Sequence, residues 1–338
     1  MHKDSKILVT GGAGFIGSNM VKFLNDKGFK NICIRDPNIH SQWKNLLGLE
    51  YWNYNDEQMF DGPNFNKTIN KKFIFDVIIE LGAHSHTTLE ANEDNYNNNV
   101  LTFNYFGSPK VIYASSGATY GLEDEDFTER LDVKPINFYG FTKLKCDENW
   151  SKLSAERRSN IYGLRFFNVY GPNERYKGAQ SSVISKWLTD PIVRKRWADD
   201  PLGPNIAQIN LFKSDKDQYK DGMQCRDFIY VEDVCKVIFH FMNDKSSSGD
   251  IYNVGSGKSN TWLDVAKEVL LARKIATEHD YKKFIGFIDM PEKLVGQYQY
   301  RTKANIGKLY YVAGIGPDQM TSLSDGIRMT YEILKKNN

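Results

Sequence analysis

Short apolar runs alternate with amphipathic stretches along the first half of the chain. Residues 15–27 place apolar side chains at helical spacing, and Gly28 follows as a helix terminator. Buried strands separated by helices are typical of a parallel sheet that helices cover on both faces. The pattern therefore predicts an α/β fold with a Rossmann doubly wound parallel sheet. The apolar runs that predict its strands are residues 6–10, 31–35, 77–81, 110–114 and 161–166.

The alternation becomes less regular in the second half of the chain. Residues 190–224 are rich in Pro, Asp, Lys and Gly, and this composition predicts a long irregular segment. Helical patterns return at residues 261–273 and 323–336. We therefore expect a Rossmann domain followed by a smaller, mixed α/β lobe, with some of the later chain returning to the first domain. The two regions are residues 1–170 and 171–338.

Composition argues against several classes of protein. The 338 residues include 44 basic and 42 acidic residues, and a formal charge of +2 does not indicate a general nucleic-acid surface. No apolar run approaches the length of a membrane span. The 4 cysteines include no Cys-x-x-Cys pair, which argues against a disulfide framework and a zinc site. We expect a cytoplasmic protein that has neither nucleic acid nor membrane as a partner.

Three glycines with the spacing Gly-x-x-Gly-x-x-Gly join the first predicted strand to the first predicted helix. They are Gly11, Gly14 and Gly17. In this context the first glycine permits a tight turn, the second lets the backbone approach a pyrophosphate, and the third allows close packing of helix on strand. The N–H groups at the start of the helix favour an anion. We therefore predict a dinucleotide site at this loop.

The end of the second predicted strand bears on which dinucleotide binds. Asp36 lies about twenty residues beyond the glycines, where a carboxylate can accept a hydrogen bond from the ribose 2′-hydroxyl of NAD. Arg35 beside it could instead hold the 2′-phosphate of NADP. This pair of residues leaves the choice between the two cofactors open.

Candidate catalytic residues follow further along the chain. Tyr139 and Lys143 stand four residues apart, a spacing that places both on one face of a helix. A tyrosine acts as a base only as its phenolate, which an adjacent ammonium and a positively charged nicotinamide ring both favour. Upstream, Ser116 belongs to a cluster of small hydroxyl residues after a predicted strand. A serine there can hydrogen-bond the oxygen of a reacting carbinol, so the three residues together predict hydride transfer.

The glycine segment with Ser116, Tyr139 and Lys143 resembles the extended short-chain dehydrogenase/reductase family, which includes the NAD-dependent epimerases and dehydratases. The resemblance covers nearly the whole chain. It implies that these three residues carry the chemistry and that the cofactor is NADP or NAD, with NADP favoured. It also implies no metal, so none is expected at His84 and His86. The further cofactor contacts that it implies are Phe15, Ile16, Leu81, Ala83, Ser85, Asn98 and Val169.

Two segments, residues 165–172 and 226–234, resemble the substrate-side motifs of the family. The second implies that Arg226 holds the diphosphate of a nucleotide-linked sugar, a task that suits a guanidinium because it forks onto phosphate oxygens. Lys177 and the segment around Tyr298 resemble the branch of the family that epimerises an ADP-linked heptose at C6. The substrate contacts that the resemblance implies are Ser116, Asn168, Ala179, Lys186, Phe212, Arg226 and Tyr298.

The resemblance implies that, in that branch, a hydride leaves C6 of the heptose and returns to the other face of a 6-keto intermediate. Tyr139 and Lys177 match the tyrosine and lysine that handle protons on the two sides. The sequence departs from the branch at Ala179 and Lys186, where a serine and a histidine are usual. The helix after Asn98 is also shorter than usual, in a region that often lines the oligomer interface. A homo-oligomer is still expected.

Two alternatives stay open. A paralogue acting on another nucleotide-linked heptose or hexose, as a C4 epimerase, a dehydrogenase or a reductase, would keep the same motifs. A non-catalytic module that only binds the cofactor is the second alternative, and four intact residues argue against it. The nucleotide base and the exact sugar are not decided by the sequence. The four residues are Ser116, Tyr139, Lys143 and Lys177.

Overall fold

The computed structural model describes residues 1–53, 74–85, 89–105, 108–123, 127–189, 193–195, 206–295 and 298–336. The strands are β1 (Ile7–Thr10), β2 (Ile32–Arg35), β3 (Trp52–Asn53), β4 (Val77–Glu80), β5 (Lys110–Ser116), β6 (Ile161–Phe166), β7 (Asn168–Tyr170), β8 (Val193–Lys195), β9 (Ile206–Phe212), β10 (Cys225–Arg226), β11 (Phe228–Tyr230), β12 (Ile251–Val254), β13 (Asn260–Thr261) and β14 (Ile285–Ile288). The α-helices are α1 (Phe15–Asp26), α2 (Ile39–Gln42), α3 (Glu93–Asn99), α4 (Phe138–Ser151), α5 (Ala155–Arg158), α6 (Val183–Thr189), α7 (Val231–Asn243), α8 (Trp262–Ala272), α9 (Gly307–Ala313) and α10 (Leu323–Lys336). Short 3-10 helices cover Trp43–Leu46, Gly117–Tyr120, Arg175–Gln180, Tyr281–Phe284 and Glu292–Leu294.

Seven parallel strands form the central sheet in the order β3-β2-β1-β4-β5-β6-β12. The chain runs outward from β1 to β3 and then crosses back to β4 on the other side of β1. This reversal opens a crevice beyond the carboxyl ends of β1 and β4, which is where doubly wound sheets bind ligands. The predicted α/β class with a doubly wound parallel sheet is confirmed.

The strands are buried on both faces, as their unbroken apolar sequences predict. In β1, Ile7 and Val9 pack on one face with residues of α1 and α7, while Leu8 packs on the other face with residues of α4. All three side chains are fully buried. Burial of one such side chain stabilises a fold by about 1.5–3 kcal/mol. The packed sheet therefore holds the loops at its carboxyl edge in fixed positions.

A second lobe contains a smaller sheet, in which β9 pairs in parallel with β14 and antiparallel with β8. Ile209 and Leu211 of β9 are buried in a cluster that also includes residues of α6, α8 and α10. The prediction that residues 190–224 are irregular is therefore wrong for β8 and β9. The alternation of apolar and polar residues in β9 lies between strongly polar flanks, and those flanks dominated the composition of the segment.

Two helices of the second lobe lie where the pattern predicts them. Thr261 caps α8 and forms a reciprocal capping box with Asp264. The final helix, α10, covers Leu323–Lys336. The later part of the chain also contributes to the first sheet, because β12 pairs with β6 and α7 packs against α1.

Within the described residues, the short helix expected after Asn98 does not form. Helix α3 ends at Asn99, and residues 100–105 continue as irregular chain. The thiol of Cys146, on α4, donates to the carbonyl oxygen of Asn99 at 3.2 Å and fastens this segment to the helix. Pro109 leaves too little chain for a further helix and disfavours helical backbone just before it. Within the described ranges, no helix combines the length and the apolar character that a membrane span requires.

Candidate active site

The glycine loop between β1 and α1 is packed so closely that two of its glycines admit no side chain. A Cβ on Gly11, whose φ is 62°, would lie 2.9 Å from the Cα of Gly82. A Cβ on Gly17 would lie 2.0 Å from the carbonyl oxygen of Gly11. Gly14 begins α1 with no side-chain cap, and the first turn carries no acidic residue. The loop therefore presents backbone N–H groups at a helix N-terminus, an arrangement that suits a phosphate.

Asp36 closes one end of this loop through its carboxylate. Oδ2 accepts from the N–H groups of Ala13 at 3.0 Å and Gly14 at 3.2 Å, and Oδ1 accepts from Asn38 at 2.9 Å. Burial raises the pKa of Asp36, and the three N–H donors partly offset that effect. A carboxylate offers about four acceptor sites. One of them is therefore left for a ribose hydroxyl.

A cavity of about 570 Å³ opens in the crevice beyond β1 and β4. It brings together the dinucleotide loop and the residues predicted to carry the chemistry, although they are far apart in sequence. The predicted cofactor residues on its wall are Gly11, Gly14, Phe15, Ile16, Gly17, Asp36, Leu81, Ala83, Ser85, Asn98, Tyr139, Lys143 and Val169, and they are joined there by Ser116, Asn168 and Lys177.

Ser116 is the last residue of β5 and caps the 3-10 helix Gly117–Tyr120. The hydroxyl cluster was expected after the strand, and the structure places its first members within it. Ser116 Oγ accepts from the N–H of Ala118 at 3.1 Å, which leaves the serine O–H as a donor toward the cavity. The neighbouring Ser115 points the other way and donates to Asp147 at 3.0 Å.

Asp147 is a fully buried carboxylate on α4 that ties this helix to two strands. It accepts from the hydroxyls of Tyr113 and Ser115 on β5, and from Nε of Arg165 on β6 at 2.9 Å. Arg165 is itself fully buried. A buried charge is tolerated only when it is paired and hydrogen-bonded, so the ion pair holds α4 against β6 while the two hydroxyls hold it against β5.

Tyr139 and Lys143 lie on α4, one turn apart. Asn137 caps the helix by accepting from the N–H of Gly140 at 2.8 Å, so Tyr139 is held in the first turn. Lys143 is only 3% exposed, and its Nζ lies 6.0 Å from the centroid of the Tyr139 ring. Both side chains line the cavity. The helix therefore presents a phenol and an ammonium side by side to the same cavity.

Lys177 enters the cavity from a different element, the 3-10 helix Arg175–Gln180. Its Nζ lies 5.4 Å from the ring centroid of Phe15, the first residue of α1. Burial lowers the pKa of Lys177, and the charge of Glu174 opposes that effect. A lowered pKa lies closer to physiological pH, so Lys177 gains and loses its proton more readily there. This suits a group that exchanges a proton with a substrate.

Three asparagines anchor the loop that leads into this 3-10 helix to the glycine loop. Nδ2 of Asn45 donates to the carbonyl oxygens of Ala13 at 2.9 Å and Asn173 at 3.3 Å. Nδ2 of Asn19 donates to the carbonyl oxygen of Pro172 at 3.0 Å. Asn173 in turn donates from its amide to a serine hydroxyl of α1 at 3.1 Å. The predicted catalytic lysine is thus positioned by the cofactor loop.

Phe212, Arg226 and Tyr298 form a cluster of their own, outside the described lining of the cavity. The Arg226 guanidinium lies 4.9 Å from the Tyr298 ring centroid, and the Phe212 ring lies 6.3 Å from it. Of the five N–H donors of Arg226, the described residues take one, through a carbonyl oxygen at 2.8 Å. Strand β11 begins two residues later and pairs with β7 at Asn168, which lines the cavity. The cluster therefore borders the cavity with donors left for an anion.

The remaining predicted residues are placed differently. Ala179 belongs to the 3-10 helix Arg175–Gln180, whereas Lys186 lies on α6 and is not among the residues on the cavity wall. His84 lines the cavity, and its ring is hydrogen-bonded to Asn95 at 2.8 Å. His86 lies outside the described residues. Among the residues that the structure describes, no cluster of three or more metal-binding side chains occurs.

Several residues of the cavity wall were missed by the sequence analysis. One group follows β2, where the loops at the switch point of a doubly wound sheet contact ligands, so their position could have indicated them. A second group flanks Lys177 in the sequence, and that nearness was the available signal. The missed residues are Pro37, Asn38, Ser41, Gln42, Glu174, Tyr176 and Ser182.

These observations fit a nicotinamide dinucleotide. The uncapped start of α1 offers N–H groups to a pyrophosphate, and Asp36 keeps an acceptor for a ribose hydroxyl. Tyr139, Lys143 and Ser116 line the same cavity, where the reactive ring would meet a substrate. Residues 7–255 match the model of the NAD dependent epimerase/dehydratase family. The chain belongs to this family. Its membership confirms the resemblance drawn from the sequence and makes the chain an enzyme of the epimerase type that depends on NAD or NADP.

Relatives within the family agree with this assignment. A protein of Nitratidesulfovibrio vulgaris named ADP-L-glycero-D-manno-heptose-6-epimerase is 37% identical over 332 residues, which cover 95% of each chain. The crystal structure of the Helicobacter pylori ADP-L-glycero-D-manno-heptose-6-epimerase superposes with a TM-score of 0.73 at 24% identity, covering 98% of this chain and 97% of that one. The Bacillus cereus UDP-glucuronic acid 4-epimerase, solved with UDP-glucuronic acid and NAD, gives 0.71 at 22% identity, covering 98% and 100%. The two structural likenesses show a shared fold.

Proposed function

We propose that the protein is a nucleotide-sugar epimerase that converts ADP-D-glycero-D-manno-heptose to ADP-L-glycero-D-manno-heptose by inverting C6. The observation that carries the proposal is that Tyr139 and Lys177, from two different elements, line one cavity with the glycine loop. Inversion by removal and return of a hydride needs a proton-handling group for each orientation of the sugar. The 37% identical relative of that name supports the choice of substrate.

Each residue of the site has a proposed role that follows from its chemistry. When bound, the cofactor supplies the acceptor and the donor of the hydride at the carbinol carbon. The Ser116 hydroxyl donates a hydrogen bond to the reacting oxygen, and the Tyr139 phenolate accepts the proton of that hydroxyl, with the Lys143 ammonium stabilising the phenolate. When the 6-keto sugar has turned its other face to the cofactor, Lys177 donates a proton to the C6 oxygen as the hydride returns to C6. Tyr139 and Lys177 then recover their starting protonation states by proton exchange with solvent.

The choice between the two cofactors rests on the end of the cavity next to β2. The resemblance implies NADP, whereas the described lining there contains one carboxylate and no cation: Asp36, Pro37, Asn38, Ser41 and Gln42. A 2′-phosphate would be repelled by Asp36, and Arg35 is only 6% exposed. We therefore propose NAD as the resident cofactor. Mass spectrometry of the cofactor released on denaturation tests this, and recovery of NADP alone would overturn it.

The diphosphate of the substrate is assigned to Arg226. This guanidinium keeps donors for an anion and stacks on Tyr298. The cluster borders the cavity wall at Asn168 through the pairing of β11 with β7. A nucleotide-linked sugar spanning the two would place its diphosphate at Arg226 and its sugar carbons near Tyr139.

The experiment that tests the function is turnover of a panel of nucleotide-linked heptoses and hexoses by the purified protein, without added NAD or NADP. Stereochemistry is followed by NMR. Inversion of C6 in the ADP-linked heptose is the expected result. Inversion of C4 in a hexose, or net oxidation or reduction of another sugar, would replace the proposal with a paralogous activity. No reaction with any sugar would leave a non-catalytic cofactor-binding module.

The location and the assembly of the enzyme are proposed from the sequence. We propose a cytoplasmic homo-oligomer. Light scattering coupled to size exclusion measures its mass against the 38.9 kDa of one chain. A mass of one chain at micromolar concentration would contradict the oligomer.

A further inference from the structure

Glu174 is a buried carboxylate on the wall of the candidate active site to which the proposed chemistry gives no role. It is 3% exposed and lines the same cavity as Lys177. Acidic side chains are rarely buried unless they are paired or hydrogen-bonded. Its surroundings therefore show what keeps it there and what its charge acts on.

The hydrogen bonds of Glu174 fix its side chain in one position. Oε1 accepts from the N–H of Ser182 at 2.6 Å, and Oε2 accepts from the hydroxyl of the same residue at 2.6 Å. The backbone carbonyl of Glu174 accepts from the N–H of Lys177 at 3.0 Å and from the hydroxyl of Ser181 at 2.9 Å. One residue thus holds both ends of the 3-10 helix Arg175–Gln180, which carries the predicted catalytic lysine.

The carboxylate nevertheless forms no ion pair with the lysine in the described structure. Its two oxygens are engaged by Ser182, and the Lys177 ammonium lies over the ring of Phe15 instead. The two charges still act on each other, because Glu174 raises the pKa of Lys177 against the lowering by burial. A direct ion pair would occupy the protons that the lysine must exchange. A fixed charge at a distance leaves them available.

We propose that Glu174 is a positioning residue: its fixed charge sets the protonation balance of Lys177, and its bonds to Ser182 keep the carboxylate from pairing with that lysine. The catalytic importance of this device rests on the proposed function. The electrostatic effect of Glu174 on Lys177 does not depend on that function.

Other charged groups also face Lys177. The cavity wall includes Asp36 after β2, His84 after β4, and Tyr139 and Lys143 on α4. Burial raises the pKa of Glu174, and the charges of Lys177 and of Lys186, on α6, oppose that effect. Burial lowers the pKa of Lys177 and the charge of Glu174 opposes that effect, so removal of this charge tests the proposal directly.

The test measures the reactivity of the Lys177 amine without any substrate. The full-length protein with its cofactor is treated with a trace of acetic anhydride at a fixed pH below the lysine range, and acetylation of Lys177 is quantified by mass spectrometry relative to exposed Lys152. Only the neutral amine reacts. In Glu174→Gln the relative labelling rises about tenfold, because loss of the negative charge lowers the pKa of Lys177 and increases the neutral fraction of its amine.

Two further variants keep the result interpretable. Glu129→Gln neutralises a partly buried carboxylate that accepts from the N–H of Asn253 and is absent from the cavity lining, and its labelling of Lys177 should match the wild type. Ser182→Ala retains the charge but releases the carboxylate, so Lys177 should label more slowly than in the wild type. Unchanged labelling in Glu174→Gln, or an equal rise in Glu129→Gln, would overturn the proposal.

Activity supplies an independent readout. If the wild type turns over the ADP-linked heptose, Glu174→Gln should shift the basic limb of its pH–rate profile to lower pH, with little change in KM, because Lys177 must be protonated to donate its proton. A wild type without activity would refute the proposed function while leaving the labelling result intact. An active wild type whose variant keeps the same pH profile would refute the role of Glu174.

Discussion

Gly17→Ala would place a methyl group inside the contact between α1 and the glycine loop. The new Cβ would lie 2.0 Å from the carbonyl oxygen of Gly11, 2.7 Å from its carbonyl carbon and 2.8 Å from the Cα of Gly12. Real Cβ contacts essentially never fall below 3.0 Å. All three neighbours are backbone atoms, so no change of rotamer relieves the clash. The start of α1 has to move away from the loop.

The size of the effect follows from this geometry. Overpacking costs about 1–3 kcal/mol, and a contact with backbone on both sides belongs at the upper end. An unfolding entropy of about 2.1 cal/mol/K per residue amounts to about 0.7 kcal/mol/K for 338 residues. A loss of about 3 kcal/mol therefore lowers the Tm by about 4 °C. The displaced helix start also weakens the pyrophosphate site.

Gly14→Ala is the matched control, because a Cβ there would lie 3.1 Å from the Gly11 oxygen and 3.7 Å from Oε1 of Gln42. Its φ of −68° also suits alanine. Scanning calorimetry with and without NAD should show a cofactor-free Tm close to the wild type for this variant. The rise on adding NAD should be lost, because the methyl group stands where the pyrophosphate approaches. A normal cofactor-free Tm for Gly17→Ala would refute the packing argument, and a normal NAD response in Gly14→Ala would refute the pyrophosphate position.

Three further predictions concern the catalytic side of the cavity. Asp147→Asn leaves the buried Arg165 charge uncompensated and should cost about 3–5 kcal/mol in chemical denaturation; a change below about 1 kcal/mol would contradict the ion pair's role. Tyr139→Phe should abolish turnover while the cofactor remains bound, measured by absorbance after denaturation, and release of the cofactor would instead mean a structural role. Arg226→Lys keeps the charge but loses the fork and should raise the KM for the nucleotide-linked sugar about tenfold; an unchanged KM would place the diphosphate elsewhere.

Much of the first sheet could be predicted because its signals are local. The apolar runs of β1, β2 and β4 are buried on both faces, so no alternation blurs them, and the glycines between β1 and α1 mark the turn themselves. The cavity residues after those strands follow from the fold, since parallel strands bring their carboxyl ends to one edge. The spacing of Tyr139 and Lys143 places both on one face of any helix that contains them, and Asn137 caps the start of that helix.

The second lobe was harder for a physical reason. Strand β9 is stabilised by β14, which lies more than seventy residues later, and by helices of the same lobe. Such pairing has no local signature, and its polar neighbours in sequence suggested a loop. The substrate contacts predicted in this lobe came from the family resemblance and not from the sequence pattern. Among the described residues, Phe212, Arg226 and Tyr298 form one cluster. Contacts made across the fold could not be inferred from spacing.

The loop that carries Lys177 is fastened to the cofactor side of the site. Asn45 and Asn19 hold its backbone against the glycine loop and the start of α1, and Glu174 fixes the 3-10 helix that follows. The second lobe contributes the Arg226 cluster through a different connection, the pairing of β11 with β7. In the proposed reaction, this anchoring would hold the lysine beside the cofactor loop while the sugar rotates. An epimerase requires this arrangement, because the sugar must turn between two hydride transfers while the groups that serve both transfers stay fixed.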